Sequence, residues 1–297
     1  MAITLTNVAM LKATHQMSSV SRQLGTVMER LSSGFRINSA KDDPAGLQIA
    51  NRLTSQINGY KQGNRNLNDG ISLAQTMEGA IDEIVNMMQR IRTLAVQSAN
   101  GTYTTADRKA LNEESKQYCE EISRIAKNTS YGGVKILDGL MAGFASEDGS
   151  VKIQVSGMAG DTISIPKYEY GLSMSGMMSH IGVQDASCII HYGDEYAFSL
   201  STQQNARDVL GCIDQFISSA DSYRGMLGAT QNRFESAIRL NETMEENLSD
   251  ARSRIKDTDY AETISEYQNL LVRQQVIASI FSQVKNSKNL ILQLLQG

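Results

Sequence analysis

Side chains that most often do chemistry are sparse in this sequence. It holds three histidines, His15, His180 and His191, and three cysteines, Cys119, Cys188 and Cys212. No HExxH pattern sets two histidines one helical turn apart with a glutamate between them, so a zinc hydrolase centre of that kind is not encoded. His180, Cys188 and His191 lie near one another in the chain, but their spacing fits no zinc-ligand pattern. An odd number of cysteines without a CxxC pair argues against a disulfide framework and reads as ordinary, partly buried thiols. Glu113-Glu114 and Glu245-Glu246 read as solvated helix faces. The glycines are scattered along helical stretches and form no phosphate-cradling loop. The chain is therefore expected to be neither an enzyme nor a carrier of a metal or cofactor, and its function has to be sought in its apolar surfaces.

The elements that carry those surfaces are long. Two prolines, no tryptophan and 6% aromatic residues in 297 are the composition of helices with narrow seams. From Thr263 to Leu295, Leu270, Ile277, Val284 and Ile291 recur every seven residues, with Tyr267 and Phe281 beside them, the spacing of a coiled-coil seam. A second row, Val272, Val276, Ile280, Leu290 and Leu294, lies off that seam. One partner helix cannot cover both rows, and so much exposed apolar surface would aggregate. Residues 1–31 carry a matching heptad, with Met10, Met17, Leu24 and Leu31 at one position and Ala13, Val20 and Val27 at the other. The two ends are expected to pair with each other and, being thin, to order fully only when other copies of the chain cover the surplus row.

Between the ends, Ser32–Asp43 is a connector of turn and cap residues. Asp42 or Asp43 caps the next helix, with Pro44 in its first turn, where a missing N–H costs nothing. That helix runs to Asn100-Gly101, with a seam that includes Ile81, Ile84, Met88 and Ile91. Gly59, Gly63 and Gly70 weaken it, or mark close contact with a neighbour. A shorter helix from about Thr105 follows. Residues 151–155 and 162–165 alternate as a β-hairpin, and 171–204 show short apolar pieces without a stable period, irregular or strand-like. From Ala206 a three-four seam runs through Ile213, Phe216, Leu227, Phe234 and Leu248, with Asn241 as a polar member able to fix register. Asp257-Thr258-Asp259 breaks and recaps the chain before the last helix. The fold class is mainly α: a long-helix coiled-coil bundle with paired terminal helices and a small β-hairpin region. Its organisation is 1–31 with 263–297 as terminal helices, 32–43 and 256–262 as connectors, 44–175 with 206–255 as a helical bundle plus hairpin, and 176–205 as a short variable insert.

Net charge is −4, of which residues 1–40 contribute +3 and 263–297 contribute +2, leaving −9 for the middle. This is no nucleic-acid footprint, although both ends are mildly basic. The N-terminal residues have no basic segment followed by an apolar run, so no secretory signal peptide is read there. No stretch approaches the length of a membrane span.

Five motifs carry a family resemblance. Glu29–Gly46 (ERLSSGFRINSAKDDPAG), Asn68–Thr76 (NDGISLAQT), Gln89–Gln97 (QRIRTLAVQ), Gly228–Phe234 (GATQNRF) and Ala251–Ala261 (ARSRIKDTDYA) resemble the conserved segments of bacterial flagellins, in the same order. The resemblance covers roughly residues 1–175 and 205–297. It implies a structural subunit that self-assembles into the flagellar filament, the helical propeller of swimming or swarming. It implies an inner tube built by Met10, Met17, Val20, Leu24, Val27, Leu31, Leu270, Ile277, Ile280, Phe281, Val284, Ile291 and Leu294, inside an outer wall formed by the bundle. It further implies type III export to the cell exterior, an export chaperone on the C-terminal segment, and contacts with hook–filament junction and cap proteins. Gln89, Arg90, Leu94 and Glu114 match residues bound by the vertebrate Toll-like flagellin receptor in some members, or serve protofilament contacts. Tyr118 stands where such members often carry a basic residue. Flagellins usually lack cysteine, whereas this chain has three. The short stretch 176–205 implies little or no outer domain. Two alternatives share the helical layout: a hook–filament junction protein, and a secreted membrane-active coiled-coil protein.

Overall fold

A computed structural model describes residues 8–139, 144, 150–182, 189–192 and 195–296, with Ala9, Lys285 and residues 287–296 described by backbone alone. The chain divides into two compact units, residues 1–57 with 246–297, and residues 58–245.

The first unit is built on the terminal helices α1 (Val8–Ser33) and α6 (Tyr260–Gln296). Their heptads meet as expected. Val20, Leu24 and Val27 of α1 form one buried cluster with Leu270 and Ile277 of α6, flanked by Met17, Leu31, Tyr267 and Leu271. α1 stops at Gly34, whose left-handed φ of 76° lets its N–H return to the Arg30 carbonyl at 2.9 Å. The chain then zips against the segment that precedes α6. Arg36 N–H donates to the Lys256 carbonyl at 2.7 Å and Thr258 N–H to the Gly34 carbonyl at 3.0 Å, across a Phe35–Asp257 bridge. Arg36 adds a guanidinium bond to the Ile255 carbonyl at 2.8 Å. Asp43 caps α2 (Pro44–Ala99) by accepting from Gly46 N–H at 2.9 Å. Asp42 instead binds its own loop, accepting from the backbone of Asn38 and Ser39 and from the Ser39 hydroxyl, and these bonds hold its carboxyl below the usual range. Asp259 recaps α6, accepting from Ala261 N–H at 2.9 Å. The break is shorter than the expected 256–262: α5 (Gln203–Lys256) continues through Lys256, because only Asp257–Asp259 leave helical bonding.

The second unit combines the C-terminal part of α2 from Asn58 on, α3 (Thr105–Asn128), α4 (Met174–Ile181) and most of α5 with, among the described residues, three antiparallel two-stranded pairs. These pairs are β1 (Ser130–Tyr131) with β2 (Val134–Lys135), β3 (Val151–Gln154) with β4 (Thr162–Ile165), and β5 (Ile189–Tyr192) with β6 (Glu195–Phe198). The three-four seams of α2 and α5 form its core: Ile81, Ile84, Met88, Ile91, Ile213, Phe216, Leu227 and Phe234 are all fully buried. Leu248 lies beyond this unit and is half-buried. Thr104 and Asp107 start α3 with a reciprocal capping box.

The β3–β4 hairpin has the expected strands, and its seat explains the helix glycines. A Cβ on Gly63 would stand 1.7 Å from the Val155 carbonyl oxygen, and one on Gly59 would stand 2.8 Å from the Gly157 Cα. Only a bare helix face admits backbone this close. Asn66 donates to the Gln154 carbonyl at 3.1 Å, and buried Asn241 donates to the Val155 carbonyl at 2.9 Å and to Asn64 Oδ1 at 3.0 Å. The seam asparagine thus fixes a three-way junction of α2, hairpin and α5.

The stretch 176–205, read from the sequence as a short variable insert, contributes side chains to the core of the second unit. α4 begins before the stretch, at Met174, and buries Met174, Met177 and Met178, while Ala197, Phe198 and Leu200 enter the same core. α4 is too short to display a period, and its methionines carry no alternation. Its caps are orthodox: Ser173 accepts from Gly176 N–H, and Gly182 closes the helix in the left-handed region. The interval 183–188, which contains Cys188, lies outside the described residues.

Two outcomes follow from this packing. Gly63→Ala should destabilise the second unit by about 1–3 kcal/mol or more, because the overpacking cost exceeds the helix-propensity gain of at most ~1 kcal/mol. Thermal unfolding would read this as a lowered midpoint; a raised one would contradict the hairpin seat. Asp42 has a depressed folded-state pKa, so its contribution is present above the ordinary carboxylate range and fades as pH falls through the folded value. The stability difference between wild type and Asp42→Asn, measured by urea unfolding, should stay constant at neutral pH and shrink in acid.

Candidate functional site

Among the described residues no group of His, Cys, Asp and Glu is placed to hold a metal ion. Cys119 is wholly buried and its thiol is pushed up to about 12 by desolvation, which leaves it un-ionised and inert in the fold. Cys212 is also buried and donates to the Val209 carbonyl. Burial likewise raises the phenols of Tyr168 and Tyr223. The Tyr223 hydroxyl donates to the Pro166 carbonyl at 2.8 Å, and the Tyr168 hydroxyl shares a 2.6 Å bond with Ser219, so both serve as packed anchors.

One exposed apolar surface lies on α6. Leu270 and Ile277 are buried against α1, but the second row is open: Val272 is 58% exposed, and Val276 and Ile280 are each 50% exposed. Beside this row runs a groove of about 420 Å³ lined by Gln16, Ser19, Val20, Val272, Arg273, Val276, Ile277 and Ile280. Phe281 and Val284 are half-buried, and the side chains of Ile291 and Leu294 lie outside the described residues. On α1, Val20, Leu24 and Val27 are buried while Met10, Met17 and Leu31 are half-buried. A further exposed set on that helix, Val8, Leu11 and Met28, escaped sequence reasoning. These residues sit off the heptad, and an apolar residue off a heptad gives no periodic signal. Ile280 lies in the open row, where its spacing off the seam places it.

A second surface is polar and lies on α2 and α3. Gln89 and Arg90 are exposed, and Arg90 Nη2 meets Glu114 Oε1 at 3.0 Å, a pair that raises the guanidinium pKa. Arg92 pairs with Asp214 at 2.8 Å and Arg224 with Asp82 at 3.0 Å, so α2 is linked to α3 and α5 by solvent-facing ion pairs. Such pairs contribute little to stability and serve mainly as surface pattern. Leu94 does not belong with Gln89, Arg90 and Glu114: it is 1% exposed and packs in the core, so it is not available to a receptor or to a protofilament neighbour. The apolar residue that the same helix turns outward nearby is Val96.

Comparison with known proteins agrees with this architecture. The family model for the bacterial flagellin N-terminal helical region matches residues 4–142, and that for the flagellin C-terminal helical region matches residues 210–295. Polar flagellin F of Vibrio parahaemolyticus is 36% identical over 376 aligned positions, covering 99% of this chain and 100% of the relative. Polar flagellin C of the same species is 33% identical, with all of both chains covered. That alignment spans 387 positions against 297 residues, which leaves 90 positions of the relative without a counterpart here. Among solved structures, a putative flagellar hook-associated protein from Vibrio parahaemolyticus shares the fold with a TM-score of 0.55 at 14% identity, covering 73% of this chain and 100% of that one. Full-length identity to the curated relatives, together with the two matched helical regions, places this chain in the bacterial flagellin family.

Proposed function

We propose that the open row Val272, Val276 and Ile280 is the surface through which copies of this flagellin contact one another along the inner wall of the flagellar filament, of which it is a structural subunit. One observation carries this reading: α6 already has a partner in α1 on its seam, and a second apolar face remains uncovered. In a tube, neighbouring subunits supply the cover, and burial of each such side chain contributes about 1.5–3 kcal/mol. Met10, Met17, Leu31, Phe281, Val284, Ile291 and Leu294 extend the same wall. A chaperone that shields the C-terminal segment before type III export, and junction and cap proteins that meet the ends of the filament, would recognise the same apolar row. Gln89, Arg90 and Glu114, with Val96 in place of Leu94, form the outward patch for protofilament contacts or for the vertebrate Toll-like receptor. No helix of the described residues is long and apolar enough to cross a membrane, and no observation favours the membrane-active alternative.

Val276→Asp should leave the second unit folded, because Val276 makes no part of its core, while abolishing filament growth. The buried carboxylate would cost several kcal/mol at every repeated contact. Electron microscopy of sheared surface material checks this, and normal filaments from the variant would overturn the assignment. Phe281→Asp is expected to give the same secreted, non-polymerising monomer. Hydrogen exchange on dilute monomer should show α1 and α6 exchanging far faster than α2, α3 and α5. Equal protection in both units would mean that the terminal pair needs no neighbours.

A further inference from the structure

We propose that Asn100–Gly101 is a self-modifying turn, built to convert Asn100 to aspartate or isoaspartate without an enzyme. The chain contains two Asn–Gly dipeptides, Asn58–Gly59 and Asn100–Gly101. The first lies inside α2, where the Gly59 nitrogen is held in the helical backbone ladder and is not free to attack the Asn58 side chain. The second lies just past the end of α2, and both of its residues are exposed.

Three features of this turn favour the reaction. Asn100 Oδ1 accepts from Thr102 N–H at 3.3 Å, an Asx-turn that folds the side-chain carbonyl over the following peptide and polarises it for attack. The Asn100 backbone carbonyl accepts from Arg108 Nη2 at 2.7 Å. A guanidinium on that oxygen stabilises the negative charge that develops across the Asn100–Gly101 peptide when the Gly101 nitrogen loses its proton, in the manner of an oxyanion hole. Gly101 offers no steric block, since the nearest atom to a Cβ built on it is Gln203 Nε2 at 3.9 Å. Arg108 is itself held in place, with Nε on the Ser98 carbonyl at 2.9 Å and Nη1 on the Tyr103 carbonyl at 2.6 Å. It is a positioning residue that keeps its charge where the amide anion forms.

The step balances with water alone. Hydroxide removes the Gly101 amide proton, and the nitrogen attacks Asn100 Cγ. The new C–N bond forms as the Cγ–Nδ2 bond breaks, and ammonia leaves. Water then opens the cyclic imide at either carbonyl. One neutral side chain per molecule becomes a carboxylate beside Arg108, and the isoaspartate product also lengthens the main chain by a methylene. The extent of conversion records the time since the chain folded.

The test is peptide mapping by mass spectrometry of purified full-length protein aged in mildly alkaline buffer, native and in denaturant. The expected result is conversion at Asn100, seen as exchange of NH for O, at a native rate above the denatured rate, with Asn58 protected by the native fold. Arg108→Gln should slow the native reaction by about tenfold, the loss of one charge-assisted hydrogen bond. A native rate at Asn100 no higher than the denatured rate would overturn the proposal without reference to any variant. So would an unchanged rate in a natively folded Arg108→Gln protein, which would reduce the turn to a merely exposed dipeptide.

Discussion

A helix with apolar side chains on two faces cannot be satisfied in water by one neighbour. α6 is such a helix. α1 covers Leu270 and Ile277, and Val272, Val276 and Ile280 stay in solvent. The single chain is thus complete as a fold and incomplete as a solute. Among the described residues the thiols of Cys119 and Cys212 are buried, and the Arg90–Glu114 and Arg92–Asp214 pairs face solvent. Association is the only process that removes this surface from water, and it does so in proportion to the area covered. The cap residues at either end of the pair matter for the same reason. Gly34 and Asp259 set where α1 ends and α6 begins, and hence which residues of each heptad come level.

The second unit solves the opposite problem. The larger side chains of its seams, from Ile81 to Ile91 and from Ile213 to Phe234, are buried within one chain. The glycines of α2 show how this is achieved. Each weakens the helix by up to ~1 kcal/mol relative to alanine. In return, Gly59 and Gly63 admit the β3–β4 hairpin against bare backbone, and Asn241, Asn64 and Asn66 satisfy the polar groups that this close approach desolvates. An asparagine in an apolar seam costs stability wherever it lacks a partner. Here both of its amide hydrogens are used, and the bonds specify one register of α5 against hairpin and helix.

Most of the architecture was legible because long helices repeat their signal. The α2 seam extends over many turns, so a single glycine could not hide it, and Asp43-Pro44 marks its start by chemistry that works locally. The hairpin was legible by alternation. What escaped was short or tertiary. α4 spans only eight residues, fewer than a period needs to declare itself, and its capping signals, Ser173 and Gly182, are common outside helices. β5 and β6 are specified by Phe198 entering the core beside Phe216, a contact between residues far apart in a helix-strand pairing that no local pattern encodes. At the candidate surface, the surplus row of α6 followed from counting faces. The exposed residues of α1 did not, because an unpartnered valine or leucine looks the same in a sequence as a buried one.

The segment Gln89–Gln97 shows why a contiguous motif must be divided before it is given a function. Along one stretch of helix, Ile91, Leu94 and Ala95 point into the core, while Gln89, Arg90, Arg92, Thr93 and Val96 face solvent. Resemblance over the whole motif therefore mixes two constraints. The inward residues are held by packing against α3 and α5, where a lost methylene is felt throughout the bundle. The outward residues are held by whatever meets that face. Leu94 is the apolar residue most easily taken for a binding anchor, and burial assigns it to the first set. The apolar contribution to an outward surface falls to Val96, one turn after the exposed Arg92, while the Arg90–Glu114 pair lies six residues before it and further round the helix. An interface built on one aliphatic side chain among charges takes its specificity from charge placement rather than from buried area.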